Sequence, residues 1–196
     1  MHAQYFIFPN AARAEGSAAR APQSTVEPPA RPALPPTLPM STPEILRQQI
    51  ASLTSRLAGR PLDAALDDWL NAEAGPASPE YTALKASCEA GVAAGWLCNR
   101  EAGGIRFSRI FKPAADLNGF SVDVVDMRDV AGPHHVHPLG EIDLVMPLDE
   151  GATFDGRTAG WLVCPPGSAH RPTVRQGRAL VLYLLPEGRI DFTPGG

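Results

Sequence analysis

Histidines and acidic residues crowd into one short part of this 196-residue chain. Four of its five histidines lie between residues 134 and 170, and residues 132–141 read GPHHVHPLGE. Side chains alternate between the two faces of a β-strand, so His135 and His137 point to the same side with α-carbons roughly 6.5 Å apart. At that separation both imidazoles can reach one metal ion.

Two more residues can complete such a site. Glu141 has the parity of the two histidines, and the Pro-Leu-Gly bend before it lets its carboxylate approach from a third direction. His170 follows a proline-glycine turn that brings an imidazole in from a neighbouring strand. Three neutral imidazoles and one carboxylate suit Mn, Fe, Co, Ni, Cu or Zn and leave positions open for water or substrate. The sequence therefore predicts a divalent transition metal ion of unspecified identity, held by His135, His137, Glu141 and His170.

A second acid belongs to the same segment. Asp143 shares the parity of Glu141 on an otherwise apolar strand, so Glu141 and Asp143 are the candidate catalytic residues, with Asp143 as a proton shuttle. An equally weighted interpretation makes Asp143 a carboxylate that orients a metal-binding histidine.

Short apolar runs after Gly95 must position these residues. Runs rich in Val, Ile, Phe and Leu alternate with turn residues and predict strands at 104–111, 119–127, 141–146, 160–164 and 179–185. Strands this short, with tight turns and no helices between them, cannot pair in parallel. The sequence therefore predicts a mainly β fold over residues 96–196, an antiparallel sandwich or barrel.

The chain before Gly95 has a different texture. Apolar residues recur at helical spacing over 43–58, 61–71 and 78–95, which predicts an N-terminal three-helix cap over residues 40–95. The acids Asp63, Asp67 and Asp68 are interpreted as a solvated face of this cap. Residues 1–39 are rich in Ala and Pro, lack an apolar period and are predicted to be disordered. Because a strong helix start follows it, Met40 is a candidate for the native start.

Composition excludes several classes of function. A net charge of −4 gives no electrostatic reason to expect nucleic acid as a partner. The 3 cysteines form no CxxC pair, so neither a disulfide framework nor a thiolate zinc site is indicated, which fits a reducing cytoplasm. No apolar stretch approaches the roughly 18 residues that cross a bilayer, so no membrane association is expected and the predicted location is cytoplasmic.

The spacing HxHxxxE followed by PxGxxH resembles the two signature motifs of the cupin superfamily. Cupins are small antiparallel jelly-roll barrels that hold a metal inside, and the four candidate ligands fall on their usual ligand positions. Two departures are Gly151, displaced from the end of the first motif, and Val174, where the second usually has asparagine. From Met40 to the C-terminus, a helical part joined to GPHHVHPLGEIDLVMPL and GWLVCPPGSAHRPTV is similar to the bacterial 4-hydroxylaminobenzoate lyase family.

This resemblance implies an activity. That family converts 4-hydroxylaminobenzoate and water to protocatechuate (3,4-dihydroxybenzoate) and ammonia, a step in nitrobenzoate degradation. The reaction changes no overall oxidation level, and the chain has no nucleotide-binding glycine motif, so no nucleotide cofactor is expected. Two alternatives stay open: a metal-dependent cupin dioxygenase acting on a small aromatic acid, and a non-catalytic small-molecule-binding cupin. Fold analogy also allows a homodimer.

A small aromatic acid substrate calls for an arginine, whose planar fork matches a carboxylate in two places. The alternation of Ile105, Phe107, Arg109 and Phe111 places Arg109 inside the barrel if this face is the inner one, with Arg106 as the alternative. Tyr183 lies in a strand that is apolar on both faces and is interpreted as a core residue.

Overall fold

The structure is a computed structural model that describes residues 41–193. The predicted disordered extension, residues 1–39, and the start candidate Met40 lie outside the described residues. Three helices come first: α1 (Pro43–Leu57), α2 (Ala64–Ala74) and α3 (Pro79–Ala93). The strands that follow are β1 (Arg100–Ala102), β2 (Ile105–Phe111), β3 (Phe120–Arg128), β4 (His135–His137), β5 (Glu141–Pro147), β6 (Thr153–Phe154), β7 (Gly160–Cys164), β8 (Ser168–His170), β9 (Val174–Arg175), β10 (Arg178–Pro186) and β11 (Asp191–Phe192).

Each helix begins at a side chain that caps its free backbone N–H groups. The Thr42 hydroxyl accepts a hydrogen bond from the N–H of Ile45, and the Ser78 hydroxyl accepts one from Tyr81. Helix α2 begins three residues later than its apolar pattern predicts, because the Asp63 carboxylate accepts the Leu66 N–H and so caps the helix there. Asp63 is therefore a capping residue as well as a member of the predicted solvated face. Among the helices of residues 41–193, none has the length and apolar character that crossing a membrane requires.

The strands form a mainly β, antiparallel jelly roll. The largest sheet has the order β1-β2-β3-β10-β5-β7; β11-β4-β8 and β6-β9 form two smaller sheets. Every strand pair is antiparallel, as the short apolar runs predict. In the described part of the chain these are three separately hydrogen-bonded sheets and not one continuous closed sheet.

The two faces of the large sheet bury different partners. The outer face packs against the three helices, through Ile142, Leu144, Met146, Leu180, Leu182 and Leu184 of β5 and β10 and Leu46, Ile50, Leu53, Leu70 and Leu84 of the helices. The inner face packs against the smaller sheets through a second cluster that includes Val145, Val181, Phe154 and Val174. The helical cap therefore covers the outside of the sheet, and the inner face is left to enclose a site.

Helix α2 also binds the free edge of the large sheet. The Asn71 side chain donates to the Trp161 carbonyl at 2.9 Å and accepts the Trp161 N–H at 2.8 Å, as a neighbouring strand would. The Asp67 carboxylate accepts the Val163 N–H at 3.0 Å and pairs with Arg157 at 3.0 Å. The interpretation of Asp67 as part of a solvated face is therefore wrong: this carboxylate ties α2 to β7.

Candidate metal centre and its cavity

The four predicted ligands come together between two sheets. His135 and His137 lie on β4, His170 ends β8 opposite His135 in register, and Glu141 begins β5 on the inner face of the large sheet. One ligand atom from each residue lies within 4.8 Å of the others. His135 is 4% exposed, and His137 and Glu141 are fully buried. The parity of HxH and the turn before His170 thus produce one compact cluster.

Hydrogen bonds fix how two of these imidazoles point. The Nδ1 of His135 lies 3.1 Å from the Pro133 carbonyl, and the Nδ1 of His170 lies 2.6 Å from an Asp155 carboxylate oxygen. Because both partners are acceptors, we assign the proton of each ring to Nδ1, which leaves lone pairs on the two Nε2 atoms. These Nε2 atoms are only 3.0 Å apart. Two lone pairs this close cannot hydrogen-bond to each other, whereas a shared cation would satisfy both.

His137 and Glu141 supply further unpartnered atoms. Both ring nitrogens of His137 and both carboxylate oxygens of Glu141 are buried without a hydrogen-bond partner among residues 41–193. His137 Nδ1 lies 3.3 Å from Glu141 Oε2, and His170 Nε2 lies 3.7 Å from Glu141 Oε1. Each unsatisfied buried polar group costs about 1–3 kcal/mol. A metal ion bound here would partner one ring nitrogen of His137 and a carboxylate oxygen of Glu141, so the donor set fits the predicted metal.

Burial shifts the pKa values of the predicted metal ligands. Loss of solvent lowers the pKa of His135 to about 4, helped by the neighbouring His170. The same cause lowers the pKa of His137 to about 3. Both imidazoles are therefore neutral near pH 7, the form in which histidine binds a metal. Burial, with the carboxylate of Asp143 beside it, raises the pKa of Glu141 well above its usual range.

Asp143 lies next to this cluster on the same face of β5. It is fully buried, and neither of its oxygens has a partner among the described residues. Burial raises its pKa to about 7. Cys164 lies opposite Glu141 in register, with its sulfur within 4.8 Å of both carboxylates. Burial raises the pKa of this thiol, so it remains protonated and is not set up as a nucleophile.

A mainly apolar cavity of about 510 Å³ adjoins the metal-ligand cluster. His135 and Glu141 form part of its wall. Its apolar walls include Ile105, Phe107, Val125, Met127, Leu185 and Ile190. This volume is in the range of pockets that enclose small organic ligands. The cavity can therefore present an aromatic molecule to the cluster.

The two candidate arginines lie on opposite faces of β2. Arg109 lines the cavity, where its Nε donates to the two oxygens of Asp123 at 2.8 and 3.1 Å. Its two Nη atoms have no hydrogen-bond partner within residues 41–193. Arg106 faces the other side, where it pairs at 3.3 Å with Asp126, and it does not line the cavity. The structure thus brings Arg109, but not Arg106, to the metal-ligand cavity.

Two further residues, Asp155 and Asp123, hold side chains of the site in place. Asp155 lies in the turn after β6 and orients His170. The sequence around Asp155 does not predict a contact with a histidine 15 residues later. The orientation of Asp123 is predictable, because alternation along 119–127 places it on the same face as Val125. Cross-strand pairing sets Arg109, Asp123, Tyr183 and Asp143 side by side in one row across β2, β3, β10 and β5.

Comparisons with known proteins identify the family of this chain. Residues 48–192 match the family described as "PnbB: 4-hydroxylaminobenzoate lyase". A 4-hydroxylaminobenzoate lyase of Nocardioides sp. (strain LMS-CY) is 39% identical over 166 residues, which cover 79% of this chain and 98% of that protein. A protein of the same name from Pseudomonas putida is 36% identical over 155 residues, covering 70% of this chain and 88% of that protein.

Solved structures match about half of the chain. One is a protein of unknown function with a cupin-like fold from Ralstonia eutropha JMP134, 23% identical, with a TM-score of 0.36 over 47% of this chain and 61% of that one. Another is an oxalate oxidase in complex with glycolate, 22% identical, with a TM-score of 0.35 over 48% of this chain and 57% of that one.

Proposed function

The chain belongs to the 4-hydroxylaminobenzoate lyase family, and on that basis we propose that it converts 4-hydroxylaminobenzoate and water to 3,4-dihydroxybenzoate and ammonia. The observation that carries this proposal is the family match over residues 48–192, which contains all four clustered ligands. An apolar cavity with an arginine at its wall suits an aromatic acid, the substrate class that the name of the family implies. The same reasoning supports a role in the breakdown of nitrobenzoates in the cytoplasm.

Arg109 is the proposed partner of the substrate carboxylate. Asp123 accepts the Nε–H and so holds the guanidinium in place, while the Nη edge stays available for a second, end-on carboxylate. The aromatic ring then lies against the apolar wall. In this orientation the hydroxylamino group points away from Arg109, toward Asp143 and the metal ligands.

His135, His137, Glu141 and His170 are the proposed metal ligands. A divalent transition metal bound there would supply a Lewis acid and lower the pKa of bound water. The orphaned atoms of His137 and Glu141 support this assignment, because the protein offers them no other partner among the described residues. The choice between metals is left to elemental analysis of the purified protein.

Asp143 is the proposed proton donor. Its carboxyl group gives a proton to the hydroxylamino oxygen, which leaves as water when the N–O bond breaks. A water molecule then adds to the ring carbon ortho to nitrogen, a second hydrolyses the imine to release ammonia, and loss of the ring proton restores aromaticity. One water leaves and two are added, so the net reaction consumes one water and needs no oxidant.

An anaerobic assay tests the proposal. The purified full chain, with its metal content measured, is incubated with 4-hydroxylaminobenzoate without O₂, and ammonia and catechol are quantified. We expect both products in equal amounts. A strict requirement for O₂ would replace the lyase with a dioxygenase, and an absence of both products under all conditions would refute the proposal.

The ligand assignment has its own test. His135→Ala and His170→Ala are expected to lose bound metal and turnover together. His2→Ala, which changes a histidine remote in sequence from both motifs, is the control. Wild-type metal content in both His135→Ala and His170→Ala would refute the proposed metal site.

A further inference from the structure

Tyr183 lies inside the cavity, between two acidic residues. It occupies the inner face of β10, opposite Asp123 of β3 on one side and Asp143 of β5 on the other. The residue is 8% exposed and forms part of the cavity wall. Its position in an apolar strand suggests a core residue, but its neighbours in the row are polar.

The hydroxyl of Tyr183 is the unusual feature. A buried tyrosine hydroxyl ordinarily finds a hydrogen-bond partner. Tyr81 does so: it is 5% exposed, and its hydroxyl donates to the Val145 carbonyl at 2.9 Å. The Tyr183 hydroxyl has no hydrogen-bond partner within residues 41–193, although it is almost as buried. Tyr183 lines the cavity, so water or a ligand in the cavity can supply a partner.

The distance between Arg109 and Tyr183 across the sheet predicts which part of a bound ligand contacts the Tyr183 hydroxyl. Arg109 and Tyr183 lie two strands apart, with Asp123 between them. At about 4.8 Å per strand, their backbones are separated by roughly 10 Å. A para-substituted benzoate fills such a span, with its carboxylate at Arg109 and its para group beyond the ring. The para group then lies next to Tyr183, which forms part of the cavity wall.

We infer that the Tyr183 hydroxyl is a substrate-contacting group that hydrogen-bonds to the para substituent of the bound aromatic acid. The inference rests on the proposed function for the identity of the substrate, in which the para substituent is the hydroxylamino group. Burial among carboxylates raises the pKa of the phenol, so it is protonated at neutral pH and can donate. Selection of para-substituted substrates follows from this contact and the Arg109 contact acting together.

Binding of two inert analogues tests the inference. Calorimetry on the metal-loaded full chain compares 4-hydroxybenzoate, which carries a polar para group, with benzoate, which does not. The same measurements are made on Tyr183→Phe and on Tyr81→Phe, each of which removes one phenolic oxygen from a buried ring. Thermal melting and metal analysis verify that the variants are folded and loaded.

We expect Tyr183→Phe to reduce the ratio of affinities for 4-hydroxybenzoate and benzoate roughly tenfold, because one hydrogen bond is lost. The affinity for benzoate should not change. Turnover of 4-hydroxylaminobenzoate should fall at least as far, at unchanged metal content. Tyr81→Phe should keep the wild-type preference and melt at a lower temperature.

An unchanged preference in Tyr183→Phe, an equal loss in Tyr81→Phe, or no binding of either analogue to the wild type would overturn the inference. A wild-type chain that releases no ammonia yet shows the expected change in preference would refute the proposed reaction and leave the Tyr183 contact standing.

Discussion

Asp155→Asn should weaken metal binding although Asp155 is not a ligand. Its Oδ2 lies 2.6 Å from His170 Nδ1, and its Oδ1 accepts the Thr173 N–H at 2.8 Å. The carboxylate thus fixes the ring whose Nε2 faces His135. Asparagine keeps one acceptor oxygen but places an NH₂ group where the other acceptor stood. One of the two contacts must be lost, and the negative charge that makes the imidazole a stronger donor to the metal disappears.

The magnitude follows from the type of contact. Removing a group that orients a metal-binding histidine typically costs about 10–100-fold in metal affinity, or about 1.4–2.7 kcal/mol. The short distance and the partial burial of Asp155, with a side chain 20% exposed, favour the upper half of that range. The fold itself should change little, because asparagine tolerates the left-handed backbone at this position, where φ is 48°.

A competition titration against a chromophoric chelator measures the affinity, with Zn²⁺ as the probe metal. Asp129→Asn is the matched control: Asp129 also has a left-handed backbone, with φ of 44°, and accepts one backbone N–H, that of Gly177. It touches no metal ligand. Wild-type affinity in Asp155→Asn, or an equal loss in Asp129→Asn, would show that the Asp155 contact does not orient His170 for a metal.

Three further predictions concern the metal, the arginine and the sheet edge. Removing the metal with a chelator should lower the melting temperature, since a ligand at 100 times its Kd stabilises the folded state by about 2.7 kcal/mol; unchanged melting after verified metal loss would contradict this. Arg109→Lys keeps a cation beside Asp123 but loses the planar fork, so KM for 4-hydroxylaminobenzoate should rise roughly tenfold or more with a smaller change in kcat, while Arg106→Lys on the opposite face should leave KM as it is. Asn71→Leu leaves the Trp161 backbone unsatisfied at the sheet edge and should lower the free energy of unfolding by about 1–3 kcal/mol in chemical denaturation, and a value near zero would mean that water replaces the amide at no cost.

The parity of short strands made most of the cluster of three histidines and Glu141 predictable. Two side chains two residues apart on a strand must share a face, and the turn before His170 reverses the chain, so the cluster follows from local rules. Alternation along β2 likewise separated Arg109 from Arg106. The two-residue strands β6 and β9 were not predictable, because so short a run carries no period.

Contacts between distant segments could not be read from the sequence. The carboxylates of Asp155 and Asp67 look like ordinary surface acids in their local patterns, and only the three-dimensional arrangement gives them a histidine or a strand N–H as partner. The sequence predicts Tyr183 as a core residue because both faces of its strand are apolar. Its cross-strand neighbours, which are acids, become visible only once the register is known.

The amide of Asn71 and the carboxylate of Asp67 occupy hydrogen-bonding positions on β7 that a further strand would need. A strand of another chain therefore cannot pair with this edge of the large sheet, either in ordered assembly or in aggregation. The opposite edge of the large sheet is β1, which is exposed along its whole length. If two copies associate by continuing the large sheet from one to the other, they must pair through β1. Because Arg100 and Ala102 of β1 line the cavity, this pairing would change part of the cavity wall.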